Sequence, residues 1–123
     1  MRNLLVLAFA GALSLGVTQV YAEDAPLKTV AALHQEKSAL KGQEIRVQGK
    51  VVKVNNGIMG RNFLHIQDGT GDQDSNDLTV TSKQTANVGD QVSITGHVVL
   101  NREFGSGYSY PLLIEDASVT AKK

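Results

Sequence analysis

The 123-residue chain has no cysteine, no tryptophan and only two prolines, and its aromatic content is 5%. Without cysteine there can be no disulfide, thiolate metal ligand or thiol nucleophile, so stability must come from a packed core. A surplus of either charge is also missing, with 12 Lys and Arg set against 12 Asp and Glu. A sequence-independent nucleic-acid binder normally carries a basic surplus, because phosphate neutralisation supplies most of its affinity. Any such role here would have to rest on a local patch.

The long apolar run, Leu4 to Val17, follows a single basic residue, Arg2, and is followed by Val20-Tyr21-Ala22. That is the layout of a secretory signal peptide over residues 1–22, and the run is too short for a comfortable membrane span. It predicts Sec-route export to the periplasm and a mature chain with no membrane span. Losing Arg2 with that segment would turn the charge balance slightly negative. The remainder is long enough for one domain with one core.

Residues 23–43 read as a short polar linker and a short helix. Thr29 is a plausible N-cap, Leu27, Val30, Leu33 and Leu40 can share a side, and Lys41-Gly42 supplies an ending. From Glu44 the period becomes two, and residues 44–120 read as a barrel. Ile45 and Val47 share one side, Gly49 interrupts, and Val51, Val52 and Val54 follow. A long strand with a central glycine predicts a sharp bend of the kind small closed barrels need. Asn56-Gly57 is a turn signal inside a loop expected over residues 55–62. Leu64 and Ile66 are expected inside, with Phe63, His65 and Gln67 outside. Asp68-Gly69-Thr70-Gly71 turns the chain into an acidic loop, Asp72 to Asp77. Leu78 and Val80 then face in, with Thr79 and Thr81 out. Val92, Ile94 and Val98 form the next strand, a second glycine-rich loop covers residues 101–110, and Leu112 to Val119 closes the set.

This is an all-β reading: a five-stranded Greek-key barrel of the OB-fold type, preceded by a short helix. The segments Lys41 to Val52 and Phe63 to Gly71 resemble OB domains of the tRNA-anticodon-binding type. Together with Gly57 to Gly60 and Gly105 to Tyr110, they resemble small periplasmic OB-fold proteins, some of them associated with periplasmic nitrite reduction. The resemblance implies a ligand surface on the outer face of strands two and three, rimmed by the two long loops. Mapped onto this chain, the face carries Phe63, His65, Gln67, Thr79 and Thr81. The rims add Asn56, Met59, Arg61, Asn62, Arg102, Phe104, Tyr108 and Tyr110. Aromatics can stack on bases or sugars and the arginines can hold an anion, although the same aromatics could instead cap the barrel ends.

Other chemistry finds little support. His65 and His97 belong to strands flanking the first, roughly 9–10 Å apart, too far to share an ion. The Asp72 to Asn76 loop imitates a calcium loop, but Asp77 replaces the turn glycine and Lys83 the bidentate glutamate. No serine is tied to a histidine and a carboxylate, and the adjacent Glu115 and Asp116 face opposite sides of their strand. The expectation is a non-enzymatic module with no cofactor and no metal. Its ligand would be a single-stranded nucleic acid, an oligosaccharide or another anionic polymer. The alternative is an accessory role toward a periplasmic protein partner in respiration, haem handling or envelope stress.

Overall fold

The structure is a computed structural model that describes residues 25–105 and 107–122. The expected signal peptide lies outside them. One helix, α1 (Val30–Leu40), precedes five strands: β1 (Glu44–Ile58), β2 (Arg61–Gln67), β3 (Leu78–Ser82), β4 (Gln91–Gly105) and β5 (Tyr108–Ala121). They close into a ring in the order β1-β2-β3-β5-β4. β1 closes it by changing partner: it pairs with β4 from Glu44 to Lys50 and with β2 from Lys50 onward. Gly49 lies at that changeover, as the interrupted valine pattern suggests. The ring is completed by a parallel pairing of β3 with β5 at Val80 and Ile114.

Alternation fills the inside. Leu64, Ile66, Val80 and Ile94 are fully buried with Ile45, Val47, Val51, Val92 and Ile114. A register shift between Val51 and Lys53 leaves Val52 and Lys53 both exposed, so the bulge re-aims the strand without emptying the core. Helix α1 contributes Val30, Leu33 and Leu40 to the same cluster. Leu27, expected on that side, is instead 53% exposed. Its backbone lies parallel to β1, because the Lys28 N–H donates to the Arg46 carbonyl and the Arg46 N–H to the Pro26 carbonyl. Main-chain pairing, not side-chain burial, fixes that residue.

Both expected loops are instead two-stranded ribbons running on from the ring. In the first, Asn56-Gly57 does not turn the chain. Asn55 pairs with Phe63 and Ile58 with Arg61, leaving a bulge at Gly57 (φ 73°), whose N–H donates to Asn62 Oδ1 at 3.0 Å. The turn is Met59-Gly60, with φ of 53° and 80°, the left-handed pair that matches strand twist in a two-residue hairpin. Asn-Gly suits both a turn and a glycine bulge, and the ladder beyond it decides which forms. In the second, Arg102 pairs with Tyr110 and Glu103 with Ser109. Among the described residues no helix is long and apolar enough to cross a membrane.

Candidate functional site

The Asp68 turn shows how the chain fixes its own geometry. Asp68 Oδ2 accepts from the Val30 N–H, Thr70 Oγ1 from the Ala31 N–H and Thr29 Oγ1 from the Ala32 N–H. Three orphan donors of the helix start are thus satisfied, two of them by a distant turn. Burial raises the Asp68 pKa, but the bonds from the Thr70 hydroxyl and from the Val30 and Thr70 amides outweigh it and hold it below the ordinary value. Stability from this carboxylate is therefore present above its unfolded pKa and is lost as pH falls through the folded one. Asp68→Ala should cost about 1–2 kcal/mol at neutral pH, the usual worth of a cap. In urea titrations the gap from wild type should narrow as pH drops below about 4. A gap that stays constant down to pH 3 would refute this role.

The outward side of β2, β3 and β5 is not open. Phe63 pairs with Thr81 and His65 with Thr79 across the strands. Phe63, Thr79 and Thr81 point away from the ring yet are buried, as is Leu113, which lies outside the core cluster between Leu112 and Ile114. The β4–β5 ribbon supplies the cover over Phe63. The Phe104 ring meets Phe63 edge-on at 5.4 Å and Tyr110 at 6.0 Å, and Tyr110 lies tilted 5.8 Å from Phe63. Two guanidinium groups stand on Phe104, Arg102 at 4.8 Å and Arg61 at 5.1 Å from the ring centre. Arg102 Nε also faces Glu115 Oε2 at 3.5 Å; Glu115 is buried, and Asp116, at φ 53° within the register shift between the Thr95 and His97 pairings, is exposed.

Beside this cluster a cleft of about 340 Å³ opens between the two ribbons, lined by Lys53, Asn55, Ile58, Phe63, His65, Tyr108 and Tyr110. His65 is held from the acidic loop: its Nδ1 lies 2.8 Å from Asp77 Oδ2, and Gln67 Nε2 donates to Asp77 Oδ1. The Asp77 carbonyl meets His34 Nε2 at 2.8 Å. Among the described residues no group of three or more histidines and carboxylates is placed to hold a metal ion.

Of the residues singled out from sequence, Phe63, His65, Tyr108 and Tyr110 line the cleft. Arg61, Arg102 and Phe104 form its flank. Gln67 and Thr79 do not reach it, and Asn56 and Asn62 tie the first ribbon to the 83–85 connector. Asn55 and Ile58 fall within the 55–62 loop expected at the rim, whereas Lys53, Asp77 and Glu115 were not singled out for the ligand surface. The bulge after Val51 could have pointed to Lys53. Asp77 had no local signal, because its partner is set by the fold.

No family model matches the chain, and no curated protein does. Solved structures do. The chain matches, over 89% of its length, 23% of a protein described as an aspartyl-tRNA synthetase of Leishmania major Friedlin, at 10% identity and a TM-score of 0.58. It matches over 80% of its length 24% of the asparaginyl-tRNA synthetase of Entamoeba histolytica, at 14% identity and a TM-score of 0.54. An OBody bound to hen egg-white lysozyme is covered over 96% of its chain, with 89% of this one, at 17% identity and a TM-score of 0.51. The fold is an OB-fold. The chain spans about a quarter of each synthetase, so the likeness extends to one OB domain and to no whole enzyme.

Proposed function

We propose that this OB-fold is a non-enzymatic binding module that grips a protein partner in the cleft between its two ribbons, working in the periplasm after export. The observation that carries this reading is the composition of that cleft. Its lining joins Phe63, Ile58, Tyr108 and Tyr110 to Lys53, Asn55 and His65, and the ribbons also leave Met59 and Tyr108 45% and 48% exposed. Tyrosine, methionine and arginine around an apolar centre are the residue types enriched where proteins bind each other. A strand of nucleic acid asks for free aromatic faces and a train of cations. Here Phe63 and Phe104 pack on one another and Arg102 faces a carboxylate. The OBody bound to lysozyme supports the reading, since it has this fold and a protein partner.

A photo-crosslinking residue at position 108 should capture one discrete protein in intact cells. The same residue at position 88, where Val88 is exposed away from the cleft, should capture none. Equal capture from both positions would overturn the reading. So would salt-dependent binding of an oligonucleotide that Tyr108→Ala abolishes.

A further inference from the structure

Phe104 packs at the flank of the cleft. It rests on Phe63 and Tyr110, the two aromatics shared with the cleft, and two guanidinium groups lie over its own ring. The charges around it do not balance. Arg102 faces Glu115, but among the described residues neither Arg61 nor Lys53 has a carboxylate within ion-pairing distance. Arg61 also borders a second cleft with Lys83 and Asp116, which leaves that edge one positive charge in surplus. The ion pair between the ribbon and the ring is long and incompletely bonded. Glu115 is 7% exposed, its Oε2 receives no hydrogen bond, and the 3.5 Å to Arg102 Nε is long for a charge-assisted one. A buried carboxylate with so little compensation stabilises the closed arrangement weakly.

Resting on the protein-binding reading above, we propose that Phe104 is an intramolecular plug, latched through Arg102 by Glu115, and that the partner segment displacing it carries an aromatic side chain next to an acidic one. The aromatic group would take over the contacts of Phe104 with Phe63 and Tyr110. The carboxylate would neutralise Arg61. An edge-on aromatic contact and a guanidinium–ring contact are both transferable from one ring to another, so exchange replaces like with like. The closed form reduces the apparent affinity by the fraction of molecules that are open, and removing the plug restores it.

The test is isothermal titration of the full chain with acetyl-Gly-Asp-Phe-Gly-amide and acetyl-Gly-Lys-Phe-Gly-amide, and with a twelve-nucleotide oligo-dT. Phe104→Ala should bind the acidic peptide about tenfold or more tightly than wild type does. Adding Arg61→Gln should erase the preference for the acidic over the basic peptide. Glu115→Gln, which leaves every ring in place, should raise affinity in the same direction, and it keeps the test open if Phe104→Ala fails to fold. Unchanged or weaker binding in both variants would make Phe104 part of the recognised surface and end the plug. Equal affinity for the two peptides would remove the acidic partner, and tight oligo-dT binding in place of peptide would assign the site to nucleic acid. Capture from position 108 is independent of these outcomes, so the plug can fail while the protein-binding cleft stands.

Discussion

Gly49→Ala should destabilise the protein by about 3 kcal/mol, the upper end for forcing atoms into a packed interior. In thermal unfolding followed by circular dichroism that is a drop on the order of 15 °C for a domain of this size. The reason is a close approach and not a backbone angle. A Cβ at Gly49 would lie 2.7 Å from Ile66 Cγ2 and 2.8 Å from the Gln67 carbonyl oxygen. The side chain could rotate away, but the carbonyl belongs to the end of β2 and cannot retreat without disturbing the ladder. Gly49 is where β1 leaves β4 and takes up β2, pairing with Val92 one residue before Lys50 meets both Gln91 and Gln67. Pushing β2 away there opens the ring at the point where it closes. Val52→Ala, three residues on but 37% exposed at the bulge, should change stability by no more than about 0.5 kcal/mol. Gly49→Ala melting within a few degrees of wild type would mean that the ring tolerates a looser seam than its geometry implies.

What could be read from sequence follows the range of the interactions involved. The ring was legible because alternation is a local signal: Ile66, Val80 and Ile94 each sit between polar neighbours, Leu64 sits between Phe63 and His65, and all four are fully buried. Helix α1 was legible for the same reason, with Thr29 accepting from Ala32 as a cap should. The ribbons were not. Asn56-Gly57 satisfies the local requirements of a turn, and only the pairing of Ile58 with Arg61 beyond it shows that the strand continues. Asp68 was read as a turn residue, which it is, but its second oxygen reaches back 38 residues to Val30. The burial of Phe63 was not legible either. Alternation assigns Phe63 to the outside of the ring but carries no information about what folds over it.

The OB-fold thus carries two apolar centres of different origin. The inner one follows from the period-two pattern of five strands. The outer one exists because Phe104 and Tyr110 of the β4–β5 ribbon pack on Phe63. Only the second depends on the residues that line the cleft, so its stability and its binding are coupled through the same side chains. Weakening the ribbon contacts should then alter the cleft, while moderate weakening of the inner core should leave it intact.

Phe63→Ala should show that coupling directly, with a loss of about 3–4 kcal/mol, the cost of deleting a buried aromatic ring from a packed core. A solvent-facing stacking platform would lose far less on truncation, about 0.5 kcal/mol, and only its binding would change. The ring is 3% exposed and touches Phe104 and Tyr110, so its removal takes away the floor on which the β4–β5 ribbon rests. Phe63→Leu, which keeps most of the apolar volume but not the edge-on contacts, should lose roughly 1–2 kcal/mol. Urea unfolding gives the stabilities, and iodide quenching of tyrosine emission from the chain cleaved after Ala22 reports on Tyr108 and Tyr110, the two of the three tyrosines beyond that point. Quenching should rise in Phe63→Ala under fully native conditions, because Tyr110 loses the ring it leans on. A stability loss without that rise would separate the outer cluster from the ribbon and break the proposed link between packing and cleft shape. Neither change would mean that Phe63 is dispensable to the face it was expected to organise.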